Sequence, residues 1–174
     1  SIAIMFDNGQ VDAFSRQGCW ASCHSNMPGM TADRNYGLEK YLLSSQKQKH
    51  SIGMPAIVHD EVVLNSMRSK GEFVELWRAK LANGAVNEVK RYSILETRTQ
   101  TNTNGVKAEG GFKDGKWTIT FIRPIADSVK PINNNSLITF GIAIHHKGQS
   151  GAQHSVSLPV TISSSGEDSD FILK

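Results

Sequence analysis

From residue 110 onward several short segments carry side chains that alternate between two faces with a period of two, and this pattern most constrains the fold. Lys113-Asp114-Gly115-Lys116 reads as a tight hairpin turn, because Asp-Gly tolerates the positive φ that joins two antiparallel strands. The strand leaving it, Lys116 to Ile122, sets Trp117, Ile119 and Phe121 on one face, and Arg123-Pro124 ends it, since proline cannot donate to a central ladder. Leu137 to His146 is predicted as a second strand, with Ile138, Phe140, Ile142 and Ile144 on one face and Gly141 and Ala143 on the other. After the turn at Lys147 to Gln153, His154, Val156, Leu158 and Val160 alternate with Ser155, Ser157, Pro159 and Thr161. In the first half, Ile2 to Phe6 has the continuous apolar run of a buried strand, and residues 72 to 80 suit either strand or helix. Helix is expected only in connections, over Tyr36 to Gln46 with Leu38, Leu42 and Leu43 as its stripe, and over Asp60 to Arg68. The expected class is mainly β, an antiparallel β-sandwich with short helices in the connections.

A chain of 174 residues suits one domain or a compact fragment of a larger protein, and 39% apolar with 20% charged residues is ordinary for a soluble globular protein. The net charge of +3 is mild and the basic residues are scattered outside Lys47-Gln48-Lys49-His50, so nucleic acid is not an expected partner. No apolar run approaches the roughly 20 residues of a membrane-spanning helix, and none begins the chain as a secretory leader does. Neither a G-x-S-x-G elbow nor an H-E-x-x-H helix is present, which removes the usual signatures of hydrolases.

Residues 19 to 24 read Cys-Trp-Ala-Ser-Cys-His and contain both cysteines of the chain. Two thiols followed directly by histidine are the donors of a covalently attached haem: the cysteines add across the porphyrin vinyl groups and the histidine lies beneath the iron. Three residues separate the cysteines where two are usual, so the run is a variant c-type attachment loop, C-x3-C-H, able to bulge around the extra residue. Two rival readings are a Cys19–Cys23 disulfide, which closes too small a loop to stabilise much, and half of a zinc site, for which the adjacent His145 and His146 are poorly arranged as partners. Neither rival accounts for His24 directly after the second cysteine.

A haem c loop on a mostly β chain resembles the haem-binding domain of the γ subunits of ethylbenzene dehydrogenase and related molybdenum enzymes of the dimethyl sulfoxide reductase superfamily. Ile2-Ala-Ile-Met-Phe6 is similar to the strand before that family's first ligand loop, and Gly18-Cys-Trp-Ala-Ser-Cys-His24 to the loop of its c-type branch. Glu75-Leu-Trp-Arg-Ala-Lys80 resembles its Trp-containing strand, Asp114-Gly-Lys-Trp-Thr-Ile-Thr-Phe-Ile-Arg-Pro124 its Asp-Gly-x-Trp strand, and Phe140-Gly-Ile-Ala-Ile144 its penultimate hairpin. The b-type members hold iron between a Met of the early loop and a Lys after the late turn. The resemblance places His24 in the early loop and His154 at the position of that lysine, and so implies histidine on both sides of the iron.

The expected iron ligands are therefore His24 and His154, with His145 or His146 next in order and then a methionine, Met27 or Met30, near the attachment loop. Cys19 and Cys23 carry the single covalent haem c, and Trp20 within the loop is placed to stack beside the ring. Arg16, Arg34, Arg123 and Lys147 are candidate partners of the propionates by charge. The organisation expected is a haem-binding sandwich over residues 1–162, with the haem at one end, and a polar tail over 163–174. Two strong axial ligands leave no open coordination position, so the expected function is one-electron transfer by a monohaem c-type cytochrome, not enzymatic catalysis. Its partners would be redox proteins, a molybdenum oxidoreductase or another cytochrome, and its place periplasmic or otherwise extracytoplasmic, where haem c is attached. The alternatives are a haem-based sensor of gases or small ligands, which requires a displaceable distal ligand, and a haem-free β-sandwich binding module with the Cys19–Cys23 disulfide.

Overall fold

A computed structural model describes residues 1–7, 9–23, 40–48, 56–103, 105–123, 137–145, 154–163 and 169–172. The first half runs β1 (Ile2–Asp7), α1 (Asp12–Gln17), a 3-10 turn (Gly18–Ala21), β2 (Ser22–Cys23), β3 (Tyr41–Leu42), a second 3-10 turn (Leu43–Ser45), β4 (Gln46–Gln48), β5 (Ile57–Val58) and α2 (Glu61–Lys70). Then follow β6 (Val74–Ala82), β7 (Ala85–Ile94), β8 (Arg98–Thr101), β9 (Lys107–Lys113), β10 (Lys116–Ile122), β11 (Leu137–His145), β12 (His154–Val156), β13 (Val160–Ser163) and β14 (Phe171–Ile172). The mainly β class with short helices in the connections is what the structure has. Among the described residues no helix is long and apolar enough to cross a membrane.

Ten strands form one sheet in the order β10-β9-β7-β6-β1-β11-β13-β14, with β8 added to β7 and β12 to β11. All pairings in it are antiparallel except β13 with β14, by which Phe171 and Ile172 of the polar tail rejoin the sheet. Two hairpins owe their tightness to consecutive positive φ values, Asn83-Gly84 (53° and 78°) between β6 and β7 and Asp114-Gly115 (51° and 78°) between β9 and β10.

The sheet does not stay flat. Three strand steps separate β10 from β6, about 14 Å in a flat sheet. Yet the Trp77 and Phe121 rings lie 6.3 Å apart and the Arg123 guanidinium 5.5 Å from the Trp77 ring. The sheet therefore curls, bringing the β9–β10 hairpin over the outer face of β6 and β1. That face carries Phe6, Trp77 and Phe140 in ring contact, 4.6 Å and 6.5 Å from Phe6. Beneath them Glu75, buried, accepts hydrogen bonds from Trp77 Nε1 (3.0 Å), Arg91 (2.8 and 3.1 Å) and Arg123 (3.3 Å).

The opposite, inner face holds the main core: Ala3 and Met5 of β1, Val74 and Leu76 of β6, Ile94 of β7 and Ala143 of β11. Phe14 of α1, Cys19, Ala21, Leu42 and Leu64 and Met67 of α2 pack onto it. Asp7 steers α1 into place, its buried carboxylate accepting from the backbone N–H groups of Gln10 and Val11, each at 3.2 Å. On α2, the Asp60 carboxylate accepts from Val63 N–H at 3.1 Å and Gly71 closes the other end at φ 78°.

Two expectations are revised, and one face assignment is settled. The helix over 36–46 is not formed in its described part: Tyr41–Leu42 is strand, because Tyr41 pairs with Cys23 and Leu42 N–H donates to Leu95 O at 2.7 Å. These tertiary hydrogen bonds outweigh a helical pattern only three leucines deep. On β11 the burial is the reverse of what side-chain size suggests. Gly141 and Ala143 face the covered inner side, and Ile144 on the large-residue face is exposed. Finally, the alternation from His154 to Val160 breaks at Ser157–Pro159. Ala143 faces Val156 but Phe140 faces Val160, so four residues span three, and the extra residue flips everything after it. Leu158 falls in this bulge and is 81% exposed.

Candidate functional site

The attachment loop is brought to the sheet by close backbone packing. Gly18 turns the chain at φ 54°, and a Cβ on it would stand 3.3 Å from the ring of Pro159 in the β12–β13 bulge. The 3-10 turn that follows is closed by Ser22 Oγ donating to Cys19 O at 3.0 Å. It presses Cys19 onto β11 at Gly141. A Cβ added to Gly141 would lie 2.7 Å from Cys19 Sγ and 3.3 Å from Cys19 N, so only glycine leaves room for the thiol there. Cys19 is a buried, free thiol, and burial raises its pKa against the opposing influence of the Lys40 charge. Trp20, the next residue, points away and is 66% exposed. The backbone of Cys23 pairs with Tyr41. His24, Met27, Met30, Arg34, His146 and Lys147 lie outside the described residues.

His145 ends β11 on the same face as Gly141 and Ala143, the face that Cys19 covers. Its register partner is His154, the first residue of β12, which shares that face, with Val156 next along it packed against the core. The two imidazoles stack at 4.9 Å between ring centres and 22° between planes. Burial, then the charges of Arg78 and of His154, with a lesser contribution from Lys40, push the His145 pKa down to about 4, so its ring is uncharged at neutral pH. His145 Nδ1 is buried and has no hydrogen-bond partner among the described residues. A buried ring nitrogen left without a partner is unfavourable by about 1–3 kcal/mol, and such an atom calls for a physical explanation.

Among the described residues no three His, Cys, Asp or Glu side chains gather into a metal cage. A thiol and two imidazoles do share the inner face, and these are donor types that a covalently attached porphyrin employs: sulfur for a thioether, imidazole nitrogen for iron. The residues present fit that group. Of the candidate propionate partners, Arg16 is exposed, and Arg123 is held by Glu75 on the outer face of the sheet, away from Cys19.

Two residues that the sequence did not single out complete the surroundings. Lys40 is 8% exposed, and its charge influences both Cys19 and His145. Burial first lowers its pKa to about 8, with Cys19 opposing the shift and Arg98 adding to it. Nothing local marks Lys40, because it lies inside only through the pairing of Tyr41 with Cys23. Arg78 did carry a signal. It is two residues from Leu76 on a strand, hence on the inner face, and its Nε donates to Ser1 Oγ at 3.1 Å.

No family model matches the chain. No solved structure matches it either. Over 165 residues, 90% of its length, it is 26% identical to cytochrome c-552 of Stutzerimonas stutzeri. The match takes in 47% of that protein, so the chain spans about half the length of the curated relative it matches.

Proposed function

We propose that the chain is a monohaem c-type cytochrome domain that passes single electrons between extracytoplasmic redox proteins and is not itself an enzyme. The observation that carries this reading is that the buried Cys19 thiol and the stacked His145–His154 pair share one face of the sheet, although they are far apart in sequence. The similarity to cytochrome c-552 along nine tenths of the chain supports it. A haem bound here supplies a one-electron couple at iron.

In this reading Cys19 and Cys23 would hold the haem through two thioethers, and His24 and His154 would ligate its iron, with His145 stacked beside His154 to hold its ring. Two strong ligands would leave the iron no place for substrate. Two imidazoles favour the ferric state relative to a His/Met pair, and so a comparatively low potential. Transient docking of a redox partner, another cytochrome or a molybdenum oxidoreductase of the kind that the resembled γ subunits serve, suits such a carrier.

Intact mass under denaturing conditions is expected to exceed the sequence mass by one haem, and acid–acetone is expected to leave the colour on the protein. A bare chain mass would sink covalent attachment and return the chain to the disulfide-bearing binding module. His154→Ala is expected to turn a low-spin spectrum high-spin and to admit carbon monoxide. An unchanged low-spin spectrum in that variant, lost instead in His145→Ala, would move the distal ligand to His145. A high-spin spectrum already present before mutation would favour the ligand sensor.

A further inference from the structure

Lys40 is a buried cation that the ligand set above does not use. It is more than nine-tenths buried, and no described carboxylate pairs with it. A buried ammonium without a counter-charge is unfavourable by several kcal/mol, so its persistence calls for a compensating role. The other charged groups facing this end of the inner face do not neutralise it. Arg78 and Arg98 are cations whose charges are felt at His145 and at Lys40 respectively. Asp7, the inner-face carboxylate of β1, is taken up by the amides of Gln10 and Val11. Glu75 lies on the outer face with Arg91 and Arg123, and Glu61 and Glu96 are both bound by Arg68.

The position of Lys40 is also informative. Its neighbour Tyr41 pairs with Cys23, and its charge is felt at Cys19 and at His145, so it lies within electrostatic reach of both the attachment loop and the histidine pair. We propose that Lys40, seconded by Arg78, sets the reduction potential of the site by lending uncompensated positive charge to the side of the sheet that binds the haem. The inference rests on the electron-transfer reading and adds to it the residue that tunes the couple. Gain of one electron from a donor protein lowers the net charge of the iron–porphyrin by one, and a nearby buried cation favours the state with less positive charge. Lys40 thereby offsets the low potential that two imidazoles impose. It acts through space and is not a ligand.

The test is equilibrium redox titration of the haem-loaded full chain against Lys40→Met, which keeps the aliphatic stem, and Lys40→Arg, which keeps the charge. Lys40→Met is expected to raise the ferric-to-ferrous ratio at a fixed poise roughly tenfold, as loss of one partly screened charge at such range implies. Its visible spectrum should be unchanged, and Lys40→Arg should restore the original ratio. Arg78→Gln should shift the ratio in the same direction by less, and it serves as the readout if Lys40→Met fails to fold. An unchanged ratio in both neutral variants overturns the inference while leaving the cytochrome reading intact. A changed axial-ligand spectrum in Lys40→Met also overturns it, by making Lys40 a ligand. Absence of haem from the unmodified protein removes both readings together.

Discussion

Glu75→Ala is expected to destabilise the fold by about 3–5 kcal/mol, the usual effect of removing one member of a buried ion pair. The Glu75 side chain is 5% exposed, and those of Arg91 and Arg123, which it binds at 2.8 and 3.3 Å, are 14% exposed. Without the carboxylate, two guanidiniums and the Trp77 N–H face each other in a site too dry to solvate them. The loss is also architectural. Arg123 follows β10 directly, whereas Glu75 belongs to β6, so the carboxylate fastens the curled edge of the sheet to its centre. Urea unfolding followed by tryptophan fluorescence measures the effect as a lower midpoint. Haem content per folded molecule should not change, because this cluster lies across the sheet from Cys19. A loss below about 1 kcal/mol, the range of surface pairs, would mean that water reaches the cluster and the curl is looser than described.

Gly141→Val is expected to disturb the other face at its tightest point. The first carbon of any side chain here would stand 2.7 Å from Cys19 Sγ and 3.3 Å from Cys19 N, so the turn over Gly18–Ala21 must lift from the sheet. Overpacking of this kind is unfavourable by about 1–3 kcal/mol. Its more informative consequence is chemical. Lifting the turn removes Cys19 from the face it shares with His145 and His154, and the fraction of chains carrying two thioethers should fall. Mass spectrometry of denatured protein reads that fraction directly. Ile144→Val is the control, three residues further along the same strand and exposed on the outer face, and neither stability nor haem content should respond to it. Full attachment in Gly141→Val with unaltered stability would show that Cys19 does not depend on the close approach to β11.

The local signals in the sequence were those whose physics is short-range. Asp114-Gly115 fixed a hairpin because both residues accept positive φ, and Asn83-Gly84 held the same signal unread between β6 and β7. Period-two alternation located β11 and assigned His145 to the face of Gly141 and Ala143, since successive side chains of a strand must point to opposite sides. The Cys19-to-His24 run named the candidate cofactor through donor chemistry alone. What the sequence could not determine depends on contacts between distant segments. Which face of β11 is covered was decided by the turn at Cys19 packing where only a glycine sits, so the small residues became the buried ones. Residues 41–43 became strand and turn because Tyr41 could pair with Cys23 and Leu42 N–H could donate to Leu95 O, and no local propensity encodes a partner. One extra residue at Ser157–Pro159 reversed the strand beyond it, which alternation read along a single strand does not reveal. The buried charge of Lys40 and the pairing of His145 with His154 likewise arise only when the curled sheet and its covering turns close one region off from water, so that charge and unbonded nitrogen there acquire a weight they lack in the open chain.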